Sequence, residues 1–90
     1  MKIRWLRSGL VSLRSAHAYV QAESPRQARE LVVRLERAIQ RLEEFPNSGR
    51  NGTVPGTTEL VIPNLPYLVV YRVMEEEVQI LRFFHIRRYK

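Results

Sequence analysis

The strongest pattern of apolar and polar positions lies between residues 24 and 45. Ala28, Leu31, Val32, Leu35, Ala38, Ile39 and Leu42 recur at helical spacing and form an apolar stripe that continues to Phe45. Arg26, Arg29, Glu30, Arg34, Arg37 and Arg41 take the opposite side. Ser24 is placed to cap this helix, Pro25 suits its first position, Gln27 completes a capping box, and Pro46 ends it. Glu30 and Arg34 stand at i,i+4 in the favourable order, a pair that contributes about 0.2–0.5 kcal/mol. Each large apolar side chain contributes about 1.5–3 kcal/mol when buried, so the stripe rather than the ion pair holds the helix down. An earlier helix is predicted from Ser8, as N-cap, to about Ala22, with Leu10, Leu13, Ala16, Tyr19 and Val20 on one side. Two amphipathic helices joined by so short a turn pack as an antiparallel hairpin.

The flanking segments alternate with a period of two. Residues 2–7 are predicted to be a short strand, and residues 46–58, dense in Gly, Pro, Asn and Thr, a loop. Three strands follow, over residues 59–62, 67–74 and 78–85, separated by Pro63-Asn64-Leu65-Pro66 and by Glu75-Glu76-Glu77. Residues 67–74 are apolar on both faces, the mark of a central strand. The order is β-α-α-β-β-β, an α+β fold in which a helical hairpin packs on a small antiparallel sheet. No internal repeat or linker interrupts it, so residues 1–90 are expected to form one domain.

Composition narrows the chemistry. Apolar residues make up 44% of the 90, which suits a packed core. Cysteine is absent, so disulfides and thiolate metal sites are excluded, and a reducing cytoplasmic setting is expected. No apolar run approaches the length of a membrane span or a signal peptide, so no membrane partner is expected. Aspartate is also absent, and the only imidazoles are His17 and His85, so neither a bound metal nor another cofactor is expected. The three glycines of residues 49–56 are not followed by the Lys-Ser/Thr of a Walker phosphate loop.

Charge is the informative quantity. Fifteen Lys and Arg against nine Glu give a net +6, and thirteen of the fifteen are Arg, the side chain suited to bidentate contact with carboxylate or phosphate. Residues 1–22 and 78–90 carry Lys2, Arg4, Arg7, Arg14, Arg82, Arg87, Arg88 and Lys90 with no acid between them. If the two ends pair in one sheet, their charges add into one positive field. Such a surface grips an acidic or polyanionic partner. It could also serve metal-free cleavage of RNA, which needs a base, an acid and cations for the charge on phosphate. Arg72, Arg82, His85, Arg87, Arg88 and Tyr89, with Glu59 as base, are the candidates. Arg72 is the least expected of these, since an Arg in a central strand needs a partner or an open cleft.

The element order, the helix ending Leu42-Glu43-Glu44-Phe45-Pro46-Asn47-Ser48-Gly49-Arg50, and the segments Gly56-Thr57-Thr58-Glu59-Leu60-Val61, Pro66-Tyr67-Leu68-Val69-Val70-Tyr71-Arg72-Val73 and Val78 to Arg88 resemble the RelE/ParE toxin superfamily. The resemblance implies the toxin of a bacterial type II toxin–antitoxin pair. Its partner would be a cognate antitoxin with an acidic, partly disordered tail, and a dimer within that complex is compatible with it. RelE-like members cut mRNA in the ribosomal A site, and ParE-like members inhibit DNA gyrase. RNA-cutting members place Arg where Leu68 stands, and the ending His85-Ile86-Arg87-Arg88 is closer to the ParE-like group. The resemblance therefore implies gyrase inhibition, with Arg82, His85, Arg87 and Arg88 contacting the target. The alternative is a metal-free, ribosome-dependent endoribonuclease using Arg72, Arg87, His85 and Glu59 as catalytic residues. A basic nucleic-acid-binding module is a third expectation.

Overall fold

The computed structural model describes residues 1–88; the side chain of Arg88, and Tyr89 and Lys90 with their expected roles, lie outside the described residues. The chain runs β1 (Lys2–Trp5), α1 (Arg7–Glu23), α2 (Pro25–Glu44), β2 (Arg50–Asn51), β3 (Thr58–Val61), β4 (Tyr67–Met74), β5 (Glu77–His85) and a 3-10 turn, Ile86–Arg88. The sheet has the order β1-β5-β4-β3-β2. This is the expected α+β architecture, with two departures. A two-residue strand, β2, forms inside the segment expected to be loop, and β1 pairs parallel to β5 while every other pair is antiparallel.

The helix starts differ for a physical reason. Leu6 N–H donates to Ile80 C=O at 3.0 Å, so sheet pairing extends past Trp5 and the chain enters α1 at once. Ser8 therefore lies inside the helix rather than at its cap, and its hydroxyl donates to Leu81 C=O at 2.7 Å. Gly9 is the buried residue of α1. A Cβ there would stand 2.6 Å from the Ile80 carbonyl oxygen, so only glycine permits this approach of helix to strand. At α2, Ser24 Oγ accepts from Gln27 N–H at 3.2 Å, as expected. The reciprocal half of the capping box is not made, because Ser24 N–H already donates to Val20 C=O at 2.7 Å.

Five residues of the α2 stripe, Ala28, Leu31, Leu35, Ala38 and Leu42, are buried, and Ile39 packs beside them. Val32 and Phe45, expected in the same stripe, are exposed, as are Leu10 and Tyr19 of α1. The stripe meets Tyr67, Val69 and Tyr71 of β4 and Val78, Ile80 and Phe83 of β5, with Ile3 and Trp5 of β1 at the margin. The parity of β5 changes along its length. Tyr71 stands opposite Ile80 but Val70 opposite Arg82, leaving Leu81 as the extra residue of a β-bulge. Before it the even-numbered residues face the helices, and after it the odd-numbered ones do. Glu75 and Glu76 form the β4–β5 turn with φ of 53° and 64°, the left-handed pair that a two-residue hairpin of type I′ requires.

Tyr71, fully buried, ties the loop after α2 to the sheet. Its hydroxyl donates to Pro46 C=O at 2.8 Å and accepts from Gly49 N–H at 3.2 Å. Burial pushes the phenol above its usual 10.0, and the Gly49 N–H offsets this in part. Tyr71→Phe keeps the ring but leaves both backbone groups without this partner, so it should cost about 1–3 kcal/mol in urea unfolding. Because the folded phenol is the weaker acid, its contribution is full below pH 10.0 and fades as pH rises through the raised value. The alkaline decline in stability should therefore be shallower in the Phe variant.

Candidate functional site

The sheet face turned away from the helices carries the charge. Alternation places Lys2 and Arg4 of β1 there, in register with Glu77 and Gln79 of β5. Arg72 of β4 lies across from the same Gln79, and Arg82 of β5 across from Val70. Glu59 of β3 is Val70's neighbour on the other side, and Arg50 of β2 pairs with Glu59. The two acid-poor ends of the chain thus occupy adjacent strands, which meets the condition under which their charges add into one field. Five cations, Lys2, Arg4, Arg50, Arg72 and Arg82, share one face with Glu59 and Glu77.

Hydrogen bonds set what each can do. Arg72 Nε donates to Gln79 Oε1 at 2.8 Å, Gln79 Nε2 donates to Glu77 Oε2 at 2.7 Å, and Arg4 Nη1 reaches the same Glu77 oxygen at 3.4 Å. The Gln79 amide is the main cause that holds the Glu77 carboxyl below its usual range; Arg4 and the charge of Lys2 add to it. Glu59 is only 4% exposed. Its carboxylate accepts from Arg50 Nε at 3.2 Å and from Thr53 N–H at 3.3 Å, so it clamps the loop between β2 and β3 onto the sheet. Arg82 is exposed, with its guanidinium carbon 5.5 Å from the Phe84 ring centroid in a cation–π contact.

His85 belongs to the other face. It stands edge-on to Tyr67 at 5.1 Å, and its Nδ1 accepts from Arg87 N–H at 3.1 Å, leaving Nε2 as the ring's donor. Arg87 is exposed in the 3-10 turn that also holds the Arg88 backbone. His85 is in register with Tyr67, five residues along β4 from Arg72. At ~3.3 Å per residue that is about 17 Å. The candidate residues therefore form two groups: Arg72 and Glu59 lie with Arg82 on the open face, while His85 and Arg87 sit at the end of β5.

A groove of about 710 Å³ runs beside that end, between α1 and β5, lined by residues that include Arg7, Ser8, Ser12, Tyr19, Tyr67, Arg82 and His85. β1 ends opposite Ile80, so among the described residues no strand flanks β5 beyond it on this side. Two serine hydroxyls replace it, Ser8 donating to Leu81 C=O and Ser12 accepting from Phe83 N–H at 2.9 Å. Sequence reasoning missed this groove and took Ser8 for a cap; the i,i+4 spacing of Ser8 and Ser12 was the available signal.

A family model described as the ParE toxin of the type II toxin–antitoxin system parDE matches residues 3–89. The chain belongs to the ParE toxin family. Among relatives, the candidate toxin Y4kP of Sinorhizobium fredii is 37% identical over 84 residues, covering 93% of this chain and 86% of that one. Toxin RelE2 of Caulobacter vibrioides is 31% identical over 87 residues, 97% of each chain. A solved chain of the chromosomal ParDE system of Pseudomonas aeruginosa superposes with a TM-score of 0.83 at 25% identity, covering 96% of both chains. As a type II toxin, this ParE-family chain has a cognate antitoxin as partner. No helix among the described residues is long and apolar enough to cross a membrane.

The Glu77 network yields a pH test of this toxin. A depressed folded value means that the ionised carboxylate stabilises the fold above pH 4.5 and that this contribution is lost as pH falls through the depressed value. Glu77→Gln should unfold at lower urea than the parent at pH 7. The gap between their midpoints should close as the pH drops below 4.5.

Proposed function

We propose that this ParE-family toxin acts by binding rather than by catalysis, and that its target is DNA gyrase in the cytoplasm. The observation that carries the reading is the separation of about 17 Å along the sheet between Arg72 and the His85–Arg87 end. A base, an acid and a phosphate clamp that must act on one 2′-hydroxyl have to converge within hydrogen-bond reach, and these residues do not. Glu59 is moreover engaged by Arg50 and the Thr53 amide, and Leu68, at the position where RNA-cutting relatives carry Arg, is 1% exposed. What remains is a cationic exterior, with Arg82 on the open face and His85 Nε2 and Arg87 at the end of β5. Its donors suit an acidic or polyanionic target surface. The antitoxin would neutralise the toxin by laying an acidic tail over the same field, with residues 1–90 as one domain and a dimer of the pair compatible with this arrangement.

A ribosome-dependent endoribonuclease is the second reading, favoured by the 31% identity to a toxin named RelE2. Purified protein added to a gyrase supercoiling reaction and to a defined translation reaction separates the two. The proposal expects inhibited supercoiling, intact mRNA and unimpaired translation. New mRNA 5′ ends at the A site, with supercoiling untouched, would replace it with the second reading and give Arg72, Arg87, His85 and Glu59 catalytic roles. Arg82→Ala and Arg87→Ala should each weaken gyrase inhibition about tenfold or more, the loss of one charge-assisted contact, while leaving the unfolding midpoint within about 0.5 kcal/mol of the parent.

A further inference from the structure

We infer that Arg72, held by Gln79, is a receptor for a carboxylate of an acidic protein segment, at a site on the open face distinct from the His85–Arg87 end of β5. The inference takes from the toxin reading only that an acidic protein partner exists.

Gln79 is 6% exposed, and both ends of its amide are used: Oε1 accepts from Arg72 Nε and Nε2 donates to Glu77. Reversing the amide would set its NH2 against a guanidinium and its oxygen against a carboxylate, so the two neighbours fix its orientation. Arg72 is thereby locked through Nε alone. Among the described residues, neither of its terminal nitrogens meets a partner and it forms no ion pair. A fork of two parallel N–H donors fixed in place matches a carboxylate bidentately.

The charges around it point the same way. Glu77 lies diagonally across from Arg72, where a direct ion pair would neutralise both. Instead a neutral amide stands between them, and Glu77 is shared with Arg4. The guanidinium is oriented without being compensated. Gln79 is thus a positioning residue for an unspent charge. The neighbours favour protein over a nucleic-acid strand. Met74, 43% exposed, lies on the same face, and the Glu77 carboxylate stands where a phosphate track would need another cation. An acidic side chain on Arg72 with an apolar one on Met74 satisfies both.

The test is a titration of 15N-labelled toxin with an octapeptide of alternating Glu and Leu, followed at the arginine side-chain Nε–Hε signals. The Arg72 signal should be protected in the free protein and should move as peptide is added. Arg72→Ala should weaken the peptide by at least about threefold, within the range of an exposed ion pair. The deciding variant exchanges Gln79→Glu with Glu77→Gln. Net charge is unchanged and Arg72 keeps a bond to Nε, but a carboxylate now neutralises it, so affinity should fall as in Arg72→Ala. The remaining arginine signals report that the fold persists. Wild-type affinity in the exchanged variant, or an Arg72 signal that moves with a 20-base-pair duplex and not with the peptide, would overturn the inference. Neither gyrase nor mRNA enters this measurement, so its failure and that of the gyrase proposal are told apart.

Discussion

One extra residue, Leu81, decides which side of the sheet each end of β5 serves. Without that bulge, strict alternation from Val78 and Ile80 would carry Arg82 and Phe84 into the helix-facing core and turn Phe83 and His85 outward. Burying an unpaired guanidinium costs several kcal/mol, so that arrangement has no stable form. With the bulge, Phe83 is buried and stacks on Tyr67 with centroids 5.1 Å apart, while Arg82 reaches the open face. The bulge also supplies the docking point for α1. The Ile80 and Leu81 carbonyls beside it accept from Leu6 N–H and the Ser8 hydroxyl, and Gly9 lets the helix close over them.

From that point the electrostatics follow. Because α1 starts at the bulge, β1 must lie beside the first half of β5, and parallel pairing sets Lys2 and Arg4 on the same face as Arg82. The two acid-poor ends of the chain are brought together by backbone hydrogen bonds, against their mutual repulsion. In the Arg4–Glu77 and Arg50–Glu59 pairs the arginine is largely exposed, so solvent screens the attraction and the pairs are secondary to apolar burial. The apolar layer under α2 and the two-sided burial of β4 carry the fold, which leaves the open face free to be shaped by recognition.

What the sequence disclosed tracks how local each cause is. The stripe from Ala28 to Leu42, the Ser24 cap and the Tyr67-to-Tyr71 run are set by neighbours within a few residues, and each was legible. The parallel pairing of β1 with β5 joins residues 75 apart and leaves no local mark. The two residues of β2 are too few for any periodicity. The bulge did leave a trace, in the adjacent apolar pair Ile80-Leu81 that breaks the alternation of β5. Arg72 was legible as an anomaly in an apolar strand, but its partner was not, since Gln79 meets it only through the β4–β5 register. The grouping of the site residues was hidden for the same reason, because parity after the bulge decides that Arg82 and His85 face opposite ways.

The choice of Gln79 sharpens the case for recognition over stability. A buried polar side chain on a sheet face is costly unless fully bonded, and an apolar residue of similar size would satisfy packing there without that demand. An acidic residue would pair with Arg72 outright. Glutamine does neither: it fixes the guanidinium and leaves its charge intact. The same device recurs at His85, whose Nδ1 is occupied by the Arg87 amide while Nε2 stays available. At both places one atom of a polar group is spent on orientation and the rest is kept for something outside the chain. A surface whose donors are ordered before any partner arrives loses less entropy on binding.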